Sequence, residues 1–255
     1  MSKMPVLFVG HGSPMNAIEK NEFSSTWEKL GRSLPRPAAI LCVSAHWESE
    51  STAVTAAVAP RMIYDFYGFP PALYQVQYPA PGSPDLAEQI IQRVQSARVE
   101  KDYAWGLDHG SWSVLCRMFP QADIPVLQLS LQYSREGKVH YQLGKELAAL
   151  REEGILILGS GNIVHNLRRM VWGDTAFDWA IEFDSFVKEK ISTGEHAPLI
   201  AYQQQGTSAD LATNSAEHYL PLLYVLGASE PGEPVNYFAE HIWGGSISMR
   251  CVLIG

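Results

Sequence analysis

The sequence predicts a single-domain α/β fold with a mostly parallel or mixed central sheet flanked by helices. Two observations lead to this prediction. Short apolar strands alternate with amphipathic helices along the chain, the pattern of a sheet built from crossover connections. The 255 residues also contain no repeat, low-complexity tract or change of composition that would divide them, so we expect residues 1–255 to form one domain.

Turn signals and apolar spacing place the elements of the first half of the chain. Apolar or alternating runs predict strands over 6–10, 38–45, 51–58 and 74–78. Helical spacing predicts one helix over 23–30, which stops at Gly31, and a second over 85–96 behind a Pro-rich turn that can cap it. Residues 64–71 form an aromatic loop with Gly and Pro, a composition often found in pocket walls.

The second half continues the alternation. A short helix over 113–119 precedes a strand over 126–131. The strongest periodicity predicts an amphipathic helix over 138–153 that ends at Gly154, followed directly by a strand over 155–158. Helices over 177–192 and 214–227 and a C-terminal strand over 246–254 complete the chain, and Pro221 fits only in the first turn of its helix or at a kink.

The composition favours a soluble protein with a small-molecule partner. Hydrophobic residues make up 46% of the chain and charged residues 18%, an ordinary balance for a globular protein. Because 27 acidic residues outnumber 19 basic ones, we expect no nucleic-acid surface. No apolar run of about 18 residues and no signal peptide is present, so we expect no membrane contact. Cys42, Cys116 and Cys251 lie far apart in apolar runs, which indicates buried thiols and a cytoplasmic location.

Histidines recur where the predicted strands end. Five of the eight stand at strand ends, in Gly-flanked turns or at a helix start: His11, His46, His109, His165 and His218. The carboxyl ends of strands in an α/β sheet line one crevice, where ligands bind. The chemistry that needs several imidazoles at one edge is metal binding or acid-base catalysis near neutral pH.

His11 shows the local design most clearly. It lies between Gly10 and Gly12 directly after the first strand, and the two glycines allow a close backbone approach and positive φ angles. The other histidines are less informative. We expect His140 and His196, in polar surroundings, to lie on the surface, and His241 has no assigned role.

Other motifs predict less. Gly159-Ser160-Gly161 is too short for a dinucleotide fingerprint, and Ser13 lacks the downstream glycine of a nucleophile elbow. Four tryptophans lie near the histidines in sequence, and they fit either core packing or an aromatic wall for a planar substrate: Trp47, Trp105, Trp112 and Trp243.

Taken together, five ordered motifs resemble the class III extradiol ring-cleavage dioxygenases, closest to the 4,5-DOPA extradiol dioxygenase group. They are Gly-His-Gly-Ser-Pro-Met at the start, Ser-Ala-His-Trp around His46, Leu-Asp-His-Gly-Ser-Trp around His109, Gly-Ser-Gly-Asn-Ile-Val-His-Asn up to His165 and Glu-His-Tyr-Leu-Pro-Leu around His218. The motifs extend from residue 10 to about residue 226, nearly the whole chain.

The resemblance implies a single catalytic domain with a non-haem Fe(II) that binds a catechol, such as L-DOPA, and opens its ring with O2 to a semialdehyde. By motif match, His11, His46 and His218 are the expected metal ligands. His165 is the expected acid-base residue and can also coordinate the metal when substrate is absent. His109 is expected to hydrogen-bond oxygen or substrate.

The choice of the third ligand also rests on local geometry. Better-known members of the class use two histidines and a carboxylate, and here Glu217 lies next to His218. On a helix the two side chains would point about 100° apart, so we expect His218 to face the crevice and Glu217 to cap the helix. An all-histidine set also suits Zn2+, so zinc can occupy the site although Fe(II) is the expected working metal.

Two other functions fit the same residues. Three histidines with an open position could form a zinc-dependent hydrolase, because bound zinc generates hydroxide at neutral pH. A non-catalytic metal- or ligand-binding protein on the same scaffold is the other alternative. For the assembly we expect a monomer or a small homo-oligomer.

Overall fold

A mixed sheet of eight strands organises the chain in the computed structural model, which describes residues 3–173 and 175–255. Its strands are β1 (Val6–Gly10), β2 (Ala39–Ser49), β3 (Thr52–Thr55), β4 (Val99–Asp102), β5 (Val126–Gln132), β6 (Ile155–Gly161), β7 (Val235–Phe238) and β10 (Cys251–Ile254). They lie in the order β4-β3-β5-β2-β6-β1-β10-β7. A separate two-stranded sheet pairs β8 (Ile242–Trp243) with β9 (Ile247–Ser248).

The four central strands, β5, β2, β6 and β1, are parallel. Antiparallel strands enter toward the edges, where β10 pairs with β1 and β7, and β3 pairs with β5. The predicted α/β fold with a mixed sheet is therefore confirmed. Since β6 lies between β1 and β2, the carboxyl ends of these three strands are adjacent.

Alternation along β1 shows why this strand is apolar throughout. Val6 and Phe8 pack in the apolar cluster on one face of the sheet, and Leu7 and Val9 pack in the cluster on the other. A strand covered on both faces has no polar side, so it appears in the sequence as a continuous hydrophobic run.

Helices cover both faces of the sheet. They are α1 (Glu22–Ser33), α2 (Pro84–Arg93), α3 (His109–Met118), α4 (Gly137–Leu147), α5 (Asp178–Ser192), α6 (His196–Ile200), α7 (Thr207–Ala212) and α8 (Leu220–Ala228). α1 and α3 contribute apolar side chains to the cluster with Leu7, while α2, α4, α5 and α8 contribute to the cluster with Phe8. None of the helices formed by the described residues is long and apolar enough to span a membrane.

Several predicted boundaries differ from the structure. The predicted strand over 74–78 is wrong: a 3₁₀ turn, Pro71–Gln75, covers its first two residues, and residues 76–78 belong to no helix or strand. The predicted helix over 138–153 is α4 up to Leu147 and then a 3₁₀ segment, Ala148–Glu153, which ends at Gly154 with a φ of 80°.

The C-terminal stretch also differs. The predicted strand over 246–254 is divided into β9 and β10, which belong to different sheets. The break lies at Met249 and Arg250, where the Arg250 guanidinium is buried against the Asp184 carboxylate. Burial of this ion pair brings a charged side chain inward at a position that a continuous strand would fill with an apolar one.

Candidate metal centre

His11 directly follows β1 and is buried. Its backbone N–H donates to the carbonyl of Gly161 at 3.0 Å, which extends the pairing of β1 with β6 by one residue. The flanking glycines have the predicted properties. Gly12 has a φ of 56°, and a Cβ on Gly10 would lie 2.6 Å from the backbone carbon of Met249. Glycine is therefore required on both sides of the imidazole.

The hydrogen bonds of His11 fix which ring nitrogen faces the site. Nδ1 lies 3.0 Å from the Ser160 hydroxyl oxygen, and that hydroxyl donates to the carbonyl of Gly110. Since the hydroxyl proton is used, Ser160 accepts from Nδ1–H of His11. The Nε2 lone pair is then free, the state a histidine needs to bind a metal.

His46 approaches from β2, where the register shifts between Val43 and Glu48. Its Nε2 lies 3.1 Å from Nε2 of His11. Because Nε2 of His11 carries no proton, a proton on His46 or a cation must lie between the two nitrogens to offset lone-pair repulsion. This convergence is an observation that fits a metal site.

His218 belongs to the turn before α8, which lies against the carboxyl end of β6. Its carbonyl accepts from the backbone N–H of Asn162 at 2.9 Å, and a Cβ on Gly161 would lie 2.1 Å from that carbonyl oxygen. The absence of a side chain at Gly161 thus allows this turn to approach the strand. The ring of His218 lies 5.2 Å from that of His11 and 5.1 Å from that of His46.

The predicted role of Glu217 is wrong. α8 begins at Leu220, with Pro221 in its first turn, so Glu217 and His218 lie in a non-helical turn and the angular argument does not apply. Glu217 does not cap the helix. Its Oε1 lies 3.0 Å from Nδ1 of His218 and accepts from the Ser215 hydroxyl. A carboxylate on Nδ1–H orients the ring and leaves Nε2 free.

One donor atom from each of these three histidines lies within 4.8 Å of the others, so the group could hold a metal ion. Burial lowers the pKa of His11 and His218 well below the usual value, and neighbouring histidines lower it further. Burial and the nearby His109 also lower the pKa of His46 to about 3. Neutral imidazoles are the ligating form, and a set of nitrogen donors suits zinc or iron.

His165 lies beside this group. It follows β6, and its backbone N–H donates to the carbonyl of Ala212 at 2.9 Å. Its ring stacks on that of His218, with centroids 3.4 Å apart and planes 10° apart. Burial lowers the pKa of His165 to about 4, so the ring is neutral and can accept a proton from a nearby group.

His109 is the first residue of α3, whereas the sequence placed the helix start at Ser113. Asp108 caps the helix by accepting from the backbone N–H of Ser111. The ring of His109 lies 3.9 Å from that of His46. The structure thus brings together all five histidines that the sequence singled out.

Asp65 is a site residue that sequence reasoning missed. It belongs to the aromatic loop over 64–71 and accepts from the backbone N–H of His109 at 2.9 Å. Its Oδ2 lies 2.9 Å from Nδ1 of His109 and 3.5 Å from Nδ1 of His46, and these three side chains form a second group that could hold an ion. Burial raises the Asp65 pKa, but the two histidines outweigh burial and the net shift is downward. The feature of the sequence that could have indicated a role for Asp65 is its position as the one acidic residue in the aromatic loop over 64–71, which is expected to line a pocket.

Buried polar side chains form a hydrogen-bond network around Asp108, the residue that caps the start of α3. Asp108 accepts from the Ser44 hydroxyl at 2.7 Å and from the side-chain amide of Gln128 at 2.6 Å. Burial, and then the charge of Asp65, raise the pKa of Asp108 to about 6. Fully bonded buried networks of this kind hold the residues above them in one position.

The expectation that His140 lies on the surface is wrong, whereas His196 is partly exposed. His140 is buried, with Nδ1 3.1 Å from the hydroxyl of Tyr224, and His196 is half-buried against the hydroxyl of Tyr141. Both lie on helices whose exposed faces made their surroundings look polar. Among the tryptophans, Trp112 is a core residue whose indole N–H donates to the carbonyl of Ile63.

The comparisons with known proteins agree with the geometry. The family described as the catalytic LigB subunit of aromatic ring-opening dioxygenase matches residues 4–244. A 4,5-DOPA dioxygenase extradiol of Escherichia coli (strain K12) is 49% identical, over 100% of this chain and 96% of the relative. The protein of the same name from Beta vulgaris is 40% identical over 94% of this chain and 92% of the relative.

The fold is shared with a solved structure as well. The crystal structure of an uncharacterized protein from Escherichia coli K12 superposes with a TM-score of 0.87 at 45% identity, covering 99% of this chain and 100% of that one. The chain therefore belongs to the LigB family of aromatic ring-opening dioxygenases and is an extradiol-type ring-cleavage enzyme.

Proposed function

We propose that the protein uses Fe(II) to open the ring of a catechol such as L-DOPA, next to the diol, and to form a semialdehyde that contains both atoms of O2. The observation that supports this most strongly is the convergence of three neutral imidazoles, of His11, His46 and His218, with two further histidines beside them. The relatives named as 4,5-DOPA dioxygenases support the substrate class.

In this proposal His11, His46 and His218 hold the metal. Ser160 and Glu217 fix the tautomers of His11 and His218, so that both rings present Nε2. A bound Fe(II) would supply the electron transfer that links the catechol to O2, and no side chain of this chain could do so. Zn2+ fits the same nitrogen donors but has no redox chemistry, so a zinc-loaded sample is expected to be inactive.

His165 is the proposed acid-base residue. Its neutral ring can take the proton from the second catechol hydroxyl and return it later in the reaction, when the O–O bond breaks. The stacking on His218 keeps the His165 ring beside the metal ligands. At this distance His165 could also coordinate the metal before substrate binds.

His109 is the proposed hydrogen-bond donor to oxygen or substrate. Asp65 contacts Nδ1 and the backbone N–H of His109, and so fixes the direction of the ring. With Nδ1 facing Asp65, the Nε2 edge of the ring is the one that remains for a ligand.

The test is anaerobic reconstitution of the metal-free protein with Fe(II), addition of L-DOPA and then admission of air. We expect oxygen uptake and a yellow product, and neither with zinc. His11→Ala should lose Fe(II) and activity, while His196→Ala, which alters a histidine outside the site, should retain both. Hydrolysis of esters or amides by the zinc form without oxygen uptake would identify the hydrolase instead. If neither oxygen uptake nor hydrolysis is observed, the remaining interpretation is a non-catalytic metal- or ligand-binding protein.

A further inference from the structure

A cavity of about 300 Å³ borders the segment of chain that follows His11. Part of its wall is the short 3₁₀ turn Pro14–Ala17, which begins three residues after His11 in the chain. Asn16, which lines the cavity, donates to the carbonyl of His11 at 3.1 Å. Met249 also lines the cavity, and its sulfur packs against Gly12, where an added Cβ would lie only 2.5 Å from it. The cavity and the metal centre therefore share one turn of the chain.

Aromatic rings make up much of the cavity wall. They come from separate parts of the chain: Phe23, Phe69, Trp172 and Trp243. The rings of Trp172 and Trp243 lie edge to face, 6.0 Å apart, and Trp172 is 83% exposed. A large exposed indole at the rim of a pocket is costly in water, and it gains contact area when a ligand covers it.

The charge of the wall is negative. Among the described residues that line the cavity, Glu19 alone is charged, and the polar ones are Ser13, Asn16 and Asn21. Arg117 contacts the same turn through the carbonyls of Asn16 and Glu19, but its guanidinium is paired with Glu28, and both of these residues line a different cavity. Aromatic faces combined with one carboxylate favour a cation, above all an ammonium group.

We propose that this cavity receives the side chain of the aromatic substrate and selects side chains with a protonated amine, with Glu19 as the counter-charge and Trp172 and Trp243 as aromatic walls. The inference rests on the proposed function for the position of the ring, which the metal centre would hold next to the cavity. Catechols with an anionic side chain would place a carboxylate beside Glu19 and would bind more weakly.

The test measures binding under anaerobic conditions to the Fe(II)-loaded protein by calorimetry, so turnover is not needed. The catechol ligands are dopamine, 3-(3,4-dihydroxyphenyl)propionate and 4-methylcatechol, which differ in the side chain. Phenethylamine and 3-phenylpropionate, which have no hydroxyls to chelate a metal, report on the cavity alone. We expect each amine to bind more tightly than the acid of the same ring type.

The variants are chosen to leave the fold intact. Glu19→Gln should weaken the binding of dopamine and phenethylamine by about three- to fivefold, the range of one exposed ion pair, and leave that of 4-methylcatechol unchanged. Trp172→Ala should have a similar effect on the amines. Glu22→Gln and Tyr67→Ala are matched controls, because they remove an exposed acid and an exposed aromatic ring that do not line the cavity.

The outcomes separate the two proposals. Amine ligands that bind no better than the acids, or a Glu19→Gln variant that binds amines normally, would overturn the cavity assignment even if ring opening occurs. Phenethylamine binding that depends on Glu19, together with no binding or opening of 4-methylcatechol, would support the cavity and overturn the proposed function.

Discussion

Single residues determine whether the candidate site can work, because each imidazole must be neutral and must present a particular nitrogen. His11 and His218 achieve this through partners on Nδ1, a serine hydroxyl in one case and a carboxylate in the other. No hydrogen bond to the ring of His165 is among the described contacts, and this ring stacks on that of His218. This difference separates the proposed ligands from the proposed acid-base residue.

His165→Ala tests that separation. We expect the variant to retain Fe(II) and to bind catechol, but to lose ring opening by about 10²- to 10⁴-fold, since removal of a general acid-base group costs that much. Metal analysis, anaerobic binding and oxygen uptake measure the three properties. Turnover at the normal rate would show that the role is wrongly assigned.

Glu217→Ala tests the support of His218. Loss of the contact between Oε1 and Nδ1 should weaken metal binding by about 10- to 100-fold, as is usual when a carboxylate that orients a ligating histidine is removed. Glu217→Gln retains an acceptor oxygen and should lose less. Metal affinity measured by competition with a chelator reports the effect, and equal affinity of all three proteins would exclude the supporting role.

At the scale of elements, the site depends on β6 lying between the strands that deliver His11 and His46. The turn before α8 then crosses close to β6, so that His218 meets the other two rings. The two elements can approach because Gly161 has no side chain. The aromatic loop over 64–71 adds Asp65 from another direction.

Gly161→Ala is the corresponding prediction. The new Cβ would overlap the carbonyl oxygen of His218 at 2.1 Å, and backbone on both sides leaves little room to adjust. We expect the turn to move away, which should reduce the unfolding free energy by about 1–3 kcal/mol. Because this movement displaces His218, the folded variant should also bind the metal more weakly. Chemical denaturation and metal titration measure the two effects. A variant with unchanged metal affinity would show that the approach of this turn does not position His218.

At the scale of the whole molecule, buried neutral histidines make stability depend on pH. His140, which is not one of the candidate site residues, is buried, and burial lowers its pKa to about 4. Above about pH 6.5 the ring is neutral in both folded and unfolded chains. As the pH falls from there to about 4, only the unfolded chain takes up the proton, so stability is lost across this window.

His140→Leu should therefore make the protein less sensitive to acid. Between pH 7 and pH 5, the metal-free variant should lose about 2 kcal/mol less unfolding free energy than the unaltered protein, although its stability at pH 7 can be lower because Tyr224 loses a hydrogen-bond partner. Urea unfolding at both pH values provides the comparison, in which the shared contribution of the other histidines cancels. Parallel loss in both proteins would contradict the assignment.

Local patterns in the sequence predict the alternation of strands and helices, the apolar character of the central strands and the position of five histidines after strands or at turns. These are local properties, since periodicity, glycine and capping residues act within a few positions. The turn before α8 shows the limit of such reasoning. A helical pattern predicts that the side chains of Glu217 and His218 diverge. In the structure α8 begins only at Leu220, and the two side chains are in contact.

Which of these residues meet depends on how distant segments of the chain pack together. The order of strands β2, β6 and β1 brings the Nε2 atoms of His11 and His46 within 3.1 Å of each other, and no local pattern encodes that order. The contact of Asp65 with His109 and the burial of His140 likewise depend on packing between distant segments. The physical reason is that side-chain chemistry is a local property, while distance, burial and the resulting pKa are properties of the packed chain.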